Sequence, residues 1–369
     1  MKRRKIINQV AVGAASFSLA ACKSESRFRL STSEKIEQPT LEWQMATSWP
    51  ITLKNTLYGG VEALCNRISE LTDGRLKITP HPADEITPAL EVLDAVQNEK
   101  VECGHTAGYY YLDKNPALAF STSIPFGLNF KQQSAWLQAG GGLELIRSVY
   151  ADFNVINFPA GSTGNQMGGW FKQEITTPAD LTGLKMRLPG LGGQVMQRLG
   201  VEIKELPPAE LVTALEKGDI DAAEWTSPVD DEQLGLNQAA QFYYYPGWQE
   251  PGVTFDLIVN QNAFAQLPKN YQQAIYTASL EANATILALY ENLNAQALPR
   301  LLNNGTKLVA FSPEILTAAS QKTFEILEEY ASKNSSFKKI YEQWKSFRQE
   351  IYQWHSIDEL SYNQFVFNT

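Results

Sequence analysis

The sequence predicts an α/β fold in two lobes, followed by a helical C-terminal third. Its 369 residues are too many for one ordinary hydrophobic core. From Leu41 onward, short apolar runs alternate with segments of helical periodicity, as in folds whose sheets are largely parallel. The segment 271–302 contains no glycine and has its one proline, Pro299, near its end, which indicates one long helix.

The individual elements follow from these runs in chain order. Apolar runs predict strands at 42–46, 76–79, 101–106, 155–158, 184–188, 201–204 and 220–224. Helical spacing of apolar residues predicts helices at 57–71, 89–98, 193–199, 209–217, 271–302, 312–332 and 336–354. Gly74-Arg75 forms the turn into the second strand, and Asn303-Asn304-Gly305 ends the long helix. Ligands of such sheets bind beyond the carboxyl ends of the strands, so functional residues are expected there.

The first residues are typical of an export signal. Residues 2–5 are all basic, and the mostly apolar run at 6–21 is too short to span a membrane. The run ends in Leu19-Ala20-Ala21-Cys22, which resembles the bacterial lipoprotein box. Cys22 is therefore expected to be lipidated and to anchor the protein to a membrane, with a plain secretory signal as the alternative. The polar residues 23–40 would then form a flexible tether that reaches about 20–25 Å.

The composition argues against nucleic acid as a partner. The formal net charge is -9, and no cluster of Lys and Arg is interleaved with aromatic residues. Two further cysteines, Cys65 and Cys103, have no zinc-binding spacing. Cys65 falls on an amphipathic helix and Cys103 in an apolar strand, so both are expected to be buried free thiols rather than a disulfide.

Residues typical of an enzyme are scarce. The chain has three histidines and lacks a nucleotide-binding glycine motif, a phosphate-binding loop and a nucleophile elbow. His105 ends an apolar strand and is expected to be a hydrogen-bonded core residue. A metal-assisted hydrolase or lyase would need it as a base, because no other histidine lies in the middle of the chain. We therefore expect the protein not to be an enzyme.

Candidate binding residues stand at the ends of two predicted strands. Arg187 comes just before a Pro-Gly turn, where its guanidinium could bind a carboxylate with two hydrogen bonds. Glu224 and Trp225 end another strand, and an aromatic segment from Tyr243 leads to Glu250. Because sodium and calcium take oxygen ligands, the two glutamates could hold such a cation. Two simpler alternatives remain: Arg187 is a surface residue, or Glu224 pairs with it.

Several short motifs make the sequence similar to the substrate-binding proteins of TRAP transporters. The likeness runs from about Leu41 to the C-terminus and is greatest to the branch that binds 2-oxo acids or lactate with a metal ion. The motifs are Thr47-Ser48-Trp49-Pro50, Gly104 to Tyr110, Pro125 to Asn129, Gly164 to Phe171, Leu184 to Arg187, Ala214 to Ala222, Glu224-Trp225 and Tyr243 to Trp248.

The resemblance implies a two-lobed periplasmic-binding-protein fold with a hinge and long C-terminal helices. The implied divisions are a lipoprotein signal at 1–22, a tether at 23–40, lobe I at 41–163 with about 251–290, lobe II at 164–250 with about 291–333, and a C-terminal helical segment at 334–369. Those C-terminal helices either brace the lobes or form the seam of a homodimer, and the dimer is slightly favoured.

The resemblance also implies a site. Arg187 would bind the ligand carboxylate, Gln166 would contact ligand and metal, and Glu224 would bind the metal beside the main-chain carbonyl of Trp225. Glu250 would complete the metal site. Expected ligand contacts are Arg187, Gln166, Asn165, Trp225 and Tyr109; expected metal ligands are Glu224, Trp225, Glu250 and Gln166. The sequence departs from the family pattern at Gln249, where a second Trp is usual.

The implied function is capture of a small 2-oxo or 2-hydroxy monocarboxylate, with sodium or calcium, in the cleft between the lobes. The expected location is the periplasm, and the expected partners are the ligand, the membrane subunits of a TRAP permease, and the membrane through a lipid on Cys22. The alternatives are a ligand-sensing subunit of a signalling system and, on the same fold, a metal-assisted hydrolase or lyase.

Overall fold

The fold consists of two β-sheets with helices packed around them. The computed structural model describes residues 38–368. The strands are β1 (Leu41–Thr47), β2 (Leu76–His81), β3 (Cys103–Thr106), β4 (Val155–Gly164), β5 (Gly169–Phe171), β6 (Lys185–Arg187), β7 (Glu202–Ile203), β8 (Ala222–Ala223), β9 (Phe242–Tyr245), β10 (Val253–Asn260) and β11 (Lys307–Ala310). Each strand predicted from the sequence is present, although several are shorter than predicted.

The helices of the described residues follow the predicted pattern and add several short ones. They are α1 (Leu57–Leu71), α2 (Val92–Gln97), α3 (Ala119–Thr122), α4 (Phe130–Gln138), α5 (Gly142–Tyr150), α6 (Gly190–Arg198), α7 (Leu211–Lys217), α8 (Pro228–Leu234), α9 (Leu236–Ala239), α10 (Gln261–Gln266), α11 (Lys269–Asn303), α12 (Pro313–Lys333), α13 (Ser335–Ile357) and α14 (Glu359–Val366). Within this range, no helix is both long and apolar enough to cross a membrane.

The two sheets are mainly parallel, as predicted, but each includes one strand that runs the other way. The first sheet has the order β2-β1-β3-β10-β4, with β10 antiparallel to both neighbours. The second has the order β11-β9-β5-β8-β6-β7, with β5 antiparallel to both neighbours. Parallel neighbours need a long crossover, usually a helix. The chain enters β5 and β10 directly from the other sheet with no helix between, so these strands are reversed.

The long helix α11 packs against elements that serve both sheets. It spans 35 residues with Pro299 inside its last turns, as the sequence predicts. It contacts β4 and α1 of the first sheet's layer and α8, which follows β8 of the second sheet. After it, β11 pairs with β9 at the far edge of the second sheet. The chain thus passes between the sheets three times, after β4, after β9 and through α11.

The start of the described chain corrects one predicted boundary. The tether was expected to extend to residue 40, but the carbonyl of Gln38 accepts a hydrogen bond from Arg75 Nη1 at 2.9 Å, and that of Pro39 accepts one from Tyr271 OH at 2.8 Å. From Gln38 onward the chain forms one compact unit. The signal segment, Cys22 and most of the tether lie outside the described residues. Within the described residues, Cys65 and Cys103 are buried free thiols, as predicted.

Candidate functional site

Arg187 and Glu224 lie side by side at the carboxyl ends of two parallel strands. In the register of β6 and β8, Arg187 is opposite Ala223, and the Glu224 N–H donates to the Arg187 carbonyl at 3.0 Å. Strand pairing therefore brings together two residues that are far apart in the sequence. This is the edge at which the α/β pattern predicts a ligand site.

Arg187 is 3% exposed, so the interpretation of it as a surface arginine is wrong. Its Nη1 donates to the Glu224 main-chain carbonyl at 2.8 Å, and its Nε to the Leu206 carbonyl at 3.3 Å. Its guanidinium also lies over the Trp225 ring, 5.4 Å from the ring centroid. Both hydrogen-bond acceptors are uncharged, so these bonds orient the guanidinium without neutralising it.

Glu224 is 1% exposed, and neither of its carboxylate oxygens has a hydrogen-bond partner among the described residues. The alternative in which its carboxylate pairs with Arg187 is therefore not seen. Burial raises the pKa of Glu224 well above its ordinary value, and the charge of Glu250 raises it further, while Arg187 acts in the opposite direction. A buried carboxylate without a partner is costly, which indicates that something absent from the chain itself completes this site.

Glu250 and Tyr109 meet on the same side of the site. The Tyr109 hydroxyl donates to Glu250 Oε2 at 3.4 Å, and both residues are buried. Burial raises the pKa of Glu250 to about 8, although Arg187 and the Tyr109 hydroxyl act to lower it. The charges of Glu224, Glu250 and Arg187 all act on the pKa of Tyr109, which burial raises. These four residues thus belong to one electrostatic cluster.

Gln166 is attached to this cluster through its main chain, and its side chain is bonded to Thr163. Its N–H donates to the Glu250 carbonyl at 3.2 Å, and its Nε2 donates to Thr163 Oγ1 at 3.0 Å. Its Oε1 has no partner within the described chain, nor has the indole Nε1 of Trp225. A buried amide oxygen and a buried indole N–H without partners are exceptions that need an explanation.

One predicted neighbour of the ligand, Asn165, lies outside the buried cluster. Asn165 is exposed, whereas Gln166 beside it is buried. The structure therefore does not bring Asn165 into the buried cluster. The ring of Trp248, near Glu250 in the sequence, stacks on Phe126 with centroids 5.2 Å apart.

The sequence assigned no role in the site to Gln249 or to the first turn of α6. Gln249 is buried, and its Nε2 donates to the Met167 carbonyl at 2.7 Å. Gly190 begins α6 with φ of +67°, and a Cβ there would lie 3.2 Å from the Tyr109 ring. The glycine thus permits both this backbone conformation and the close approach of Tyr109. The Pro189-Gly190 pair, two residues after Arg187, was the available signal.

The donor set fits a hard cation better than a transition metal. No group of three or more His, Cys, Asp or Glu side chains that could hold a metal occurs in residues 38–368. The cluster instead offers the carboxylates of Glu224 and Glu250, an amide oxygen on Gln166 and main-chain carbonyls. Sodium and calcium accept such mixed oxygen ligands and complete their shells with ligand or water oxygens.

His105 is a structural residue rather than a base. Its Nδ1 accepts a hydrogen bond from Trp49 Nε1 at 2.7 Å, so the ring proton is on Nε2, which lies 3.2 Å from the Ala160 carbonyl. Burial lowers the pKa of His105 to about 4. Both ring nitrogens are therefore engaged and the imidazole is neutral at pH 7, as expected of a core histidine.

Comparisons with known proteins agree with this geometry. The family described as bacterial extracellular solute-binding protein, family 7, matches residues 46–334. The monocarboxylate 2-oxoacid-binding periplasmic protein of Nostoc sp. is 56% identical over 366 residues, covering 99% of both chains.

Solved structures of TRAP solute-binding proteins share the fold. One from Bordetella bronchiseptica, a dimer with calcium and picolinate in one of its sites, is 42% identical with a TM-score of 0.88, covering 90% of this chain and 98% of its own. One from Pseudoalteromonas atlantica, with bound sodium and pyruvate, is 33% identical with a TM-score of 0.84, covering 88% and 99%. This chain therefore belongs to the bacterial extracellular solute-binding proteins of family 7, the TRAP receptors, and is a binding protein rather than an enzyme.

Proposed function

We propose that this protein captures a small 2-oxo or 2-hydroxy monocarboxylate of about the size of pyruvate, together with a sodium or calcium ion, for a TRAP importer. The observation that carries the proposal is the set of buried atoms without partners, namely both carboxylate oxygens of Glu224, Gln166 Oε1 and Trp225 Nε1. Arg187 lies beside two of these residues: it donates to the Glu224 carbonyl and lies over the Trp225 ring, and its hydrogen bonds do not neutralise its charge. The chemistry of the relatives' ligands, pyruvate and picolinate, is of the same kind.

Each residue of the cluster has a role in this proposal. Arg187 would bind the carboxylate, since a guanidinium matches two carboxylate oxygens. Glu224, Glu250, Gln166 and the main-chain carbonyl of Trp225 would hold the cation. When bound, the cation supplies positive charge that offsets the repulsion between the two glutamates. Pyruvate and picolinate each carry a second donor atom next to the carboxylate, so either could share the cation with the protein.

The charges of the site bear on the choice of cation. With both glutamates ionised, Arg187 and a monocarboxylate leave the cluster with two net negative charges. A calcium ion would make it neutral, whereas a sodium ion would leave one negative charge in a buried environment. Neutralisation of the buried cluster therefore favours calcium. Because the pKa of Glu250 is raised, one glutamate could instead be protonated, and sodium would then neutralise the cluster equally well.

The proposal includes attachment to a membrane and association with a second copy. Cys22, outside the described residues, would carry the lipid and keep the receptor near its permease. The exposed apolar side chains at the end of α13, on α14 and at the residue after α14 would form the seam of a homodimer. They are Trp354, Ile357, Leu360, Tyr362, Phe365 and Phe367. The Bordetella relative, which is a dimer, supports this part of the proposal.

A thermal-shift panel tests the ligand class. Purified protein is freed of ligand and cation by unfolding, dialysis against chelator and refolding. Pyruvate, 2-oxobutyrate, lactate, succinate and glutamate are then each tested with sodium, with calcium and with chelator. A ligand at about 100 times its dissociation constant adds about 2.7 kcal/mol of stability, which is easily measured.

Wild type and two variants distinguish the outcomes of that panel. The proposal expects a monocarboxylate to stabilise wild type only with a cation, and to lose this effect in Arg187→Lys. The control is Lys217→Gln, an exposed cationic residue at the end of α7, which should respond as wild type does. If no acid stabilises the wild-type protein under any condition, or only the dicarboxylates do, the proposed ligand class is wrong.

A further inference from the structure

The segment that bears Glu250 is held from outside the site by a turn of unusual conformation. Phe126 has φ of +54°, a left-handed conformation that side-chain-bearing residues rarely adopt. Its N–H donates to the Trp248 carbonyl at 2.8 Å, and its ring stacks on the Trp248 ring at an interplanar angle of 18°. Trp248 is two residues before Glu250, so Phe126 holds the chain directly beside a proposed cation ligand.

The same turn is held on its other side by the C-terminal helix α13. The Phe126 carbonyl accepts hydrogen bonds from Arg348 Nη2 at 2.9 Å and Nε at 3.2 Å, and from the Tyr352 hydroxyl at 3.2 Å. The Tyr352 hydroxyl also donates to the Gly127 carbonyl. Arg348 is itself fixed by aromatic rings, since its guanidinium lies 4.2 Å from the centroid of Tyr352.

These contacts form a continuous chain from α13 to the site. The loop that carries Trp248 also packs closely against Gln166, since a Cβ on Gly247 would lie 2.1 Å from the Gln166 carbonyl oxygen. A displacement of Trp248 would therefore move the main chain of both Gln166 and Glu250. A strained turn such as that at Phe126 persists only where its surroundings fix it, and here Trp248 and Arg348 are those surroundings.

We propose that Phe126, Arg348 and Tyr352 are positioning residues for the cation and ligand site, and act through Trp248 on Glu250. They touch neither cation nor ligand. The C-terminal helix α13 thus contributes to binding and does not only brace the fold. The identity of the ligand in this inference rests on the proposed function, but the placement of Glu250 can be tested with a cation alone.

Calorimetry on Arg348→Gln, Tyr352→Phe and a matched control tests this. The control is Lys345→Gln, a cationic residue on α13 that lies over the Tyr341 ring and pairs with Glu328, away from the Phe126 turn. Arg348→Gln should weaken calcium binding and pyruvate binding by about tenfold, within the range found for residues that couple to a site without contacting it. Tyr352→Phe should weaken both by a few fold, and Arg348→Lys should recover part of the loss.

A structural role alone would give a different result. In that case Arg348→Gln would lower Tm yet leave the calcium and pyruvate affinities within twofold of Lys345→Gln, which would overturn the proposal. Should Arg348→Gln fail to fold, Tyr352→Phe decides by the same comparison. If wild type binds calcium but not pyruvate, the ligand assignment fails, and calcium affinity alone decides whether these residues position Glu250.

Discussion

Glu224 shows how a single residue connects burial, charge and ligand binding. Its carboxylate is buried without a partner, and both burial and the nearby Glu250 raise its pKa. In the absence of a cation, this group therefore opposes folding. In the presence of a cation, the same carboxylate would become a ligand. The residue is unfavourable for stability and favourable for binding, as functional residues often are.

The change Glu224→Gln should reverse both effects. Without cation, the variant should be more stable than wild type by about 1–3 kcal/mol, because a neutral amide of the same shape replaces a buried acid. With cation, the variant should gain little, whereas wild type should gain strongly. Thermal unfolding at pH 8, with chelator and then with calcium or sodium, measures both. The control is Glu216→Gln, at an exposed position of α7, and it should change neither value.

An equal rise in Tm on adding cation to wild type and to Glu224→Gln would show that Glu224 is no ligand. A lower Tm of the variant in chelator would show that the carboxylate has a favourable partner in the native state.

Much of the residue-scale account could be predicted from sequence. Strand ends predict that Arg187 and Glu224 share one edge of a sheet, and the position of His105 at the end of an apolar strand predicts that it is structural. Gln249 and Phe126 could not be predicted, because their roles depend on contacts with Met167 and Trp248 across the fold. Asn165 shows the converse: it lies in a family motif, yet it is exposed.

At the scale of elements, β10 carries a buried acid in the middle of the first sheet. All eight of its residues are buried, and Asp256 accepts hydrogen bonds from Tyr150 OH at 3.0 Å and Asn157 Nδ2 at 2.9 Å. Burial raises the pKa of Asp256 to about 6 from an ordinary value of 3.8. Since the folded protein holds this proton more tightly, the contribution of Asp256 to stability is greatest below the ordinary pKa. It falls as the pH rises through about 6.

The stability of Asp256→Asn relative to wild type should therefore be greater at high pH than at low pH. The loss in wild type amounts to about 3 kcal/mol between pH 4 and pH 7, at about 1.4 kcal/mol for each unit of pKa. Asn157 Oδ1 has no partner within residues 38–368, so its amide can turn to accept from the new amide. Urea unfolding at several pH values measures the difference, with exposed Asp219→Asn as control. A difference that does not change with pH would contradict the raised pKa of Asp256.

The last two helices present an apolar surface that is unusual for a protein in water. Ile357 is 72% exposed and Phe365 70%, on α13 and α14 respectively. Replacing both with Lys should convert a dimer into a monomer without loss of Tm, because neither side chain is buried in the single chain. Light scattering after size exclusion gives the mass, and the control replaces two exposed polar residues, Gln353 and Asn363. A wild-type protein that is monomeric at micromolar concentration would contradict the dimer.

The elements missed by sequence analysis share a physical reason. The strands β5, β9, β10 and β11 do not alternate with helices in the way that predicts parallel sheets. β5 is only three residues long, and β10 follows β9 after a short loop with no helix between them. By contrast, the long helix α11 was predicted nearly to its ends, because its length and lack of glycine are local properties.

At the scale of the whole molecule, the site lies where segments from both sheets meet. Tyr109 follows the first sheet's β3, whereas Arg187, Glu224 and Glu250 come from the second sheet and its loops. The hydrogen bond from Tyr109 to Glu250 joins the two groups. Binding a cation and an acid between them would hold the two parts together, which is how a hinged receptor couples ligand capture to closure.

A shared site has a thermodynamic consequence that separate sites lack. If cation and carboxylate contact one another, their attraction makes each increase the affinity of the other strongly, and linkage requires the two factors to be equal. Isothermal titration calorimetry of pyruvate with and without saturating calcium, and of calcium with and without saturating pyruvate, measures the two factors independently. Sodium is tested in the same way.

This pair of titrations tests the central claim most directly. The account predicts that the two factors agree and are large, about 10-fold to 100-fold, as for coupling free energies of 1–3 kcal/mol. Pyruvate that binds equally well with and without either cation would contradict the account, because Glu224 and Glu250 would then have no part in ligand binding.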